Sequence, residues 1–514
     1  MGGDDAFSLR HSRQESSSMP RRRTSTGVLS VLALVFASSL TACSSTASSS
    51  TTMGHNGTGV FTAAATVTSP PSTGHIIEPL TGLNQNMPAY GYEEQEYFVS
   101  GTAHAFRATS TPADGRWTIT PTTSAPYRTR ILVRRPSDPS KFNGTVVVEW
   151  MNVSEGESAP DWDYLNPMLM REGFAWVGVT AQALAVNGGT PILGALKGSG
   201  PEAAEAAQAT KGLVQAEPAR YGTLHHPGDQ YSLDIYDQIG RAVWSDGSNI
   251  LGGAKPSHVV ATGESQSAFY LTTYANSIQP LSNTFDGIFI HSRGGTAAPL
   301  NGSTIAVQGG NIMRIRTDLK VPVFMFETQT DLIQLGYAPA QQPNTVRIRT
   351  WEVAGTSHAD AYLVGPNQSF LGCTQQLNTG PQHEVVQAAF TAFANWVTTG
   401  TAPPSPSPFK FSSTNPPTLA LDAHGNVIGG VRTPWVDVPV STLSGAPPPG
   451  ASQLCALFGS TIPFSAATLT ALYGNTAMYV QKYQQNLNMA IRGGYILTAD
   501  RASLLAQAQQ VAIP

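Results

Sequence analysis

His258-Val259-Val260-Ala261-Thr262-Gly263-Glu264-Ser265-Gln266-Ser267-Ala268 carries the strongest fold signal in the chain. Val259 and Val260 are apolar and β-branched, as a buried strand requires, and Ala268 to Ala275 reads as a helix, so Ser265 falls at a strand-to-helix corner. A nucleophile elbow has this layout. Strand and helix pass close together at such a corner, so the positions two residues either side of the serine must be small, and Gly263 and Ser267 meet that condition. Ser267 stands where a second glycine is usual. The competing interpretation is an ordinary strand-helix turn in which Ser265 caps the helix.

A serine hydroxyl is a poor nucleophile at neutral pH and needs a histidine to take its proton, with an acid to fix that histidine's tautomer. Downstream, Asp331 follows an apolar run, Val321 to Phe326, through Glu327-Thr328-Gln329-Thr330. His358 follows a second run, Thr345 to Val353, in Ala354-Gly355-Thr356-Ser357-His358. Both positions come just after a strand, where open α/β sheets place their sites. Glu327 is the alternative acid. His291, ending the run from Phe285, is a candidate substrate-pocket residue or the alternative base. Acyl transfer also needs backbone N–H donors for an oxyanion: one from Gln266, and a second from Asn152 or Val153, which follow the strand Thr145 to Trp150. His225-His226 has no zinc-motif spacing around it and reads as loop or pocket lining, so no metal is expected.

The chain has 514 residues, 41% hydrophobic and 12% charged, which fits a globular protein with a substantial core. Its formal charge of −4 includes Arg21, Arg22 and Arg23, and nucleic acid is an unexpected partner for it. Those arginines precede an apolar run, Val28 to Leu40, with the length of a signal-peptide core. Leu40-Thr41-Ala42-Cys43 then resembles a bacterial lipobox, with Cys43 as the lipidation site. Residues 1–43 are therefore expected to be a leader, started from Met1 or Met19 and exported by the Sec or Tat route. Residues 44–74, rich in Ser, Thr, Gly and Ala, are expected to be a disordered tether holding the folded part, 75–514, at the outer face of a cell membrane. Cys373 and Cys455 remain, and in an exported chain two cysteines are expected to pair.

Within the folded part, aromatic and small residues alternate from His75 to Tyr127, as in edge β-strands. From Thr145 onward short apolar runs alternate with helical patterns: a helix over Leu165–Glu172, a strand over Phe174–Val179, helices over Ser232–Trp244 and Gln382–Thr399. That alternation implies an α/β fold with a mostly parallel sheet, N-terminal β additions and a C-terminal appendage of loops and helices from about residue 403. The segment Gln182 to Gly228 lacks a clear period and reads as an insertion beside the sheet. With the loop after His291, through Gly310 and Ile315, it is a candidate pocket wall.

Thr145 to Val153, Gly263 to Ala268, Gly355 to His358 and Gly429-Gly430-Val431-Arg432-Thr433-Pro434 together resemble the bacterial alpha/beta-hydrolase-domain family, from about His75 to the C-terminus. The resemblance implies an α/β-hydrolase core with its triad at Ser265, Asp331 and His358; the family's substrates are largely undefined. The expected activity is a cofactor-independent serine hydrolase acting on a small-molecule carboxylic ester. An amidase or polyester depolymerase, and a non-catalytic surface-tethered binding protein on the same fold, are the alternatives.

Overall fold

The computed structural model of the protein describes residue 55 and residues 57–80, 86–193 and 210–513. The expected leader, Cys43 and the first part of the tether lie outside the described residues. No helix among those described is long and apolar enough to cross a membrane.

Nine strands form one sheet: β1 (Thr66–Thr68), β2 (Tyr92–Ser110), β3 (Thr118–Pro136), β4 (Thr145–Trp150), β5 (Ala175–Val179), β6 (His258–Glu264), β7 (Gly287–His291), β8 (Val323–Glu327) and β9 (Ile348–Glu352). Their spatial order is β1-β2-β3-β5-β4-β6-β7-β8-β9. The first four are joined antiparallel, and β5 through β9 are parallel. β4 reads Thr-Val-Val-Val-Glu-Trp and is buried along its whole length, as expected of a strand covered on both faces. Its side chains alternate between two apolar layers: Val146 and Val148 join one core, Val147 the other.

Six helices matter for the site: α1 (Pro160–Glu172), α2 (Ser232–Ser245), α3 (Gln266–Ser277), α4 (Gln329–Ile333), α5 (Gln382–Thr399) and α6 (Thr476–Arg492). Apolar residues of α2 and α3 pack in the first layer, and those of α1, α5 and α6 in the second. The appendage thus shares its core with the sheet: Tyr483 and Leu487 of α6 belong to the same cluster as Phe390 of α5 and Val353. Gly430, at φ 70°, lets the motif noted above run against the end of β9, where Val431 N–H donates to Glu352 O at 2.7 Å.

The folded part begins before the expected boundary at residue 75. Thr66–Thr68 pairs with Phe98–Ser100 at the sheet edge, and Phe61 and Ala65 are buried in the first core. Composition misses this because three residues paired on an existing edge need few large side chains of their own. A fully buried ion network also ties the N-terminal strands to the site: Arg130 of β3 donates to Glu96 of β2 at 3.1 Å and to Glu157, in the loop after β4, at 2.5 Å. Burial alone would push the Arg130 guanidinium down, but Glu157, Tyr221 and Glu96 hold it above its ordinary value.

Candidate active site

β6 ends at Glu264 and α3 begins at Gln266, leaving Ser265 between them at φ 58°, ψ −119°. A non-glycine residue with positive φ is strained, and neighbours must hold it there. Its N–H donates to His291 O at the end of β7, at 3.0 Å. The demand for small residues is visible at Gly263, where a Cβ would come within 2.9 Å of Ser267 Cβ. Ser267, fully buried against Gly263, is small enough to keep the corner closed without a second glycine.

His358 Nε2 lies 2.7 Å from Ser265 Oγ, and His358 Nδ1 lies 2.6 Å from Asp331 Oδ1. With Nδ1 facing a carboxylate, the ring proton belongs on Nδ1, and Nε2 is left to accept from the serine hydroxyl. Asp331 is itself held. Its Oδ2 accepts from Thr328 N–H at 2.7 Å and Thr328 Oγ1 at 2.8 Å, and the Thr328 hydroxyl caps the first turn of α4 in return. The three side chains come from separate crossovers of the sheet and converge at the ends of β6, β8 and β9.

Glu327, the alternative acid, is fully buried at the end of β8, and burial followed by repulsion from Asp331 raises its carboxyl well above the usual range. Its carboxylate makes no hydrogen bond to His358; Asp331, one turn further on, does. His291 does not line the pocket. Its ring is fully buried, with Nδ1 2.8 Å from Asp161 Oδ1, and its carbonyl serves the elbow. A strand-end position told nothing of where that side chain would go. His226 is likewise structural, Nε2 2.9 Å from Ala181 O.

The loop after β4 separates the two oxyanion candidates. Asn152 N–H donates to Ser158 O at 2.9 Å, and its side chain braces the elbow through Nδ2, 3.1 Å from Glu264 O. Its backbone donor is thus consumed, which corrects its expected role. Val153 N–H points instead to Gln266 Oε1 at 3.2 Å. Sequence inspection also passed over Glu264, whose Oε1 lies 3.5 Å from His358 Nε2. Burial, then the charges of Asp161 and Asp331, push this carboxyl well above its ordinary value.

Ser265, Gln266 and His358 open into a cavity of about 450 Å³, a size typical of small-molecule pockets. Phe269, Ile305, Val307 and Leu335 give it an apolar wall, Ile192 and Leu193 a second, and Ala456 and Leu457 a third. Among the described residues, no Asp, Glu, Lys or Arg lines it. Ile305 and Val307, after His291, and Ile192 and Leu193 come from the segments expected to wall the pocket; Phe269, Leu335 and the appendage's Ala456 and Leu457 were not anticipated. The appendage wall is anchored next door by the Cys373–Cys455 disulfide, with a Cα–Cα distance of 5.5 Å.

A family model described as "Alpha/beta hydrolase domain" matches residues 64–506. Among solved structures the chain is similar to the esterase Est22, at 11% identity over 62% of this chain and 84% of that one, with a TM-score of 0.31. It is also similar to a serine hydrolase without lid from Xanthomonas campestris, at 11% identity over 51% and 87%, TM-score 0.25. One of two fungal esterases from Rhizomucor miehei aligns at 9% identity over 58% and 85%, TM-score 0.27. No curated protein matches.

Proposed function

Because the chain belongs to the alpha/beta-hydrolase domain family, we propose that it is a serine hydrolase that cleaves uncharged carboxylic esters through an acyl-enzyme on Ser265. The observation that carries this is the relay of Ser265, His358 and Asp331 at 2.7 and 2.6 Å, opening onto a largely apolar cavity with no charged side chain among the described residues that line it.

Ser265 Oγ attacks the ester carbon as its proton passes to His358 Nε2, and a new C–O bond forms while the carbonyl electrons move onto oxygen. Asp331 keeps Nδ1 protonated and stabilises the imidazolium. Gln266 N–H and Val153 N–H receive the oxyanion; Gln266 leads α3, where no intrahelical acceptor exists for its N–H. The tetrahedral adduct expels the alcohol, which takes the proton from Nε2. Water then repeats the sequence on the acyl-enzyme, releasing the acid and restoring the serine. These residues need no metal or cofactor for that chemistry. The small-molecule ester would be met at the outer face of the membrane, with Cys43 as lipid anchor, a placement supported by Arg21 to Arg23 and the apolar run that follows.

The test is hydrolysis of p-nitrophenyl esters from acetate to palmitate, beside labelling by a fluorophosphonate. Ser265→Ala is expected to abolish labelling and to lower kcat/KM at least ~10³-fold. Equal activity in both proteins would remove Ser265 from the mechanism. Folded wild-type protein that neither labels nor turns over would favour a binding role, and faster cleavage of matched amides would make it an amidase.

A further inference from the structure

We infer that the Gln266 side chain is a built-in occupant of the oxyanion site, which the substrate's carbonyl oxygen displaces in the course of acylation. The inference rests on the ester-hydrolase function proposed above and assigns the Gln266 side chain a role separate from that of its backbone.

Three successive residues of the loop after β4 could offer an N–H to the site. Asn152 N–H is bound to Ser158 O at 2.9 Å, and Ser154 N–H to Asn152 Oδ1 at 2.7 Å. Only Val153 N–H remains among them, and it donates to Gln266 Oε1 at 3.2 Å. That acceptor is an amide carbonyl oxygen, chemically close to the oxygen of an ester or acyl group. The loop cannot easily withdraw from the contact, because Glu157 is held by the buried Arg130 and Asn152 by Glu264 O. Gln266 lines the pocket although it is only 8% exposed, so its side chain is packed into the cavity wall beside Ser265.

The consequence is a site that satisfies its own donor when empty. A buried N–H without a partner is costly, and Gln266 removes that cost in the free protein. A substrate must offer a carbonyl oxygen on Val153 to displace it, and the oxyanion, a stronger acceptor than a neutral amide, competes best once attack has begun. Gln266 is thus a positioning and gating residue that favours acceptors able to carry negative charge.

Two measurements test this on the full chain with 1-butaneboronic acid, which forms a tetrahedral adduct on an activated serine. In the crystal structure of the adduct, Val153 N–H is expected on a boronate oxygen, with Gln266 Oε1 displaced. Gln266→Met, of similar length but without the carbonyl, is expected to bind the boronic acid roughly three- to tenfold more tightly, and to raise kcat/KM for the ester by a similar factor. An adduct in which Gln266 Oε1 stays on Val153 N–H, or a folded Gln266→Met variant of unchanged or weaker affinity, overturns the inference alone. Wild-type protein that fails to label with fluorophosphonate overturns the ester-hydrolase function and this inference with it.

Discussion

Glu264 Oε1 lies 3.5 Å from His358 Nε2, the same nitrogen that faces Ser265 Oγ at 2.7 Å. A second ionised carboxylate this close would over-stabilise the imidazolium and leave the base unable to release its proton. The site avoids this by burial: desolvation and the neighbouring Asp161 and Asp331 charges favour the neutral acid at Glu264. Glu264→Gln, neutral and of the same shape, is therefore expected to keep kcat/KM within about tenfold of wild type. A loss on the ~10³-fold scale of a triad member would show that the ionised form is required.

Asp331 presents one oxygen to His358 and the other to Thr328. Asp331→Asn preserves the shape, but its amide group can face Nδ1 with N–H and favour the tautomer protonated on Nε2. The expected result is a fall in kcat of about 10⁴-fold with little change in stability. Steady-state kinetics with a short ester, paired with a thermal melt, separates this from unfolding; retained activity would move the acid's role elsewhere.

Asp360, two residues past His358, accepts from Tyr164 O–H at 3.1 Å and Leu363 N–H at 3.0 Å, yet burial raises its carboxyl to about 7. The folded state therefore holds a proton that the unfolded chain, near 3.9, releases earlier. The stability due to the neutral acid is complete below about pH 4 and is lost as pH rises to about 7, by at most ~1.4 kcal/mol per pH unit. Asp360→Asn, neutral throughout, is expected to flatten that slope: similar to wild type in urea at pH 4.5, and more stable than wild type at pH 7.5. Parallel curves for the two proteins would contradict the assignment.

The disulfide closes a sequence separation of 82 residues and stands beside Ala456 and Leu457 in the pocket wall. Replacing both cysteines by serine is expected to cost roughly 2–5 kcal/mol. It should also raise KM for long-chain esters more than for acetate, because a long acyl chain needs more of the apolar cavity wall than acetate does. An ester panel with unchanged chain-length preference would leave the bond a purely structural role.

Ser265, Asp331 and His358, which the structure brings within hydrogen-bond distance of one another, could be picked out in the sequence because each sits just after a periodic apolar run. α5 was legible to the residue, opening after Pro381 and closing at Gly400 in the left-handed conformation. His291 was placed in the pocket on the same strand-end logic, and the structure turns its ring to Asp161 instead. Periodicity predicts which residues end a strand; the packing around the end decides which of them reach the site. Asn152 and Val153 were indistinguishable by composition, because what divides them is one backbone hydrogen bond to Ser158.

By itself the sequence determined the α/β alternation, the strained serine corner and the order of acid and base, all of which depend on short-range spacing and side-chain size. Only the tertiary structure decided which loop N–H meets the Gln266 side chain, that Glu264 adjoins His358, and that Gln453, Ala456 and Leu457 line the pocket. Those relations join segments some hundred or more residues apart, and they are set by how buried polar groups find partners once the layers have packed, a constraint that no local window of sequence contains.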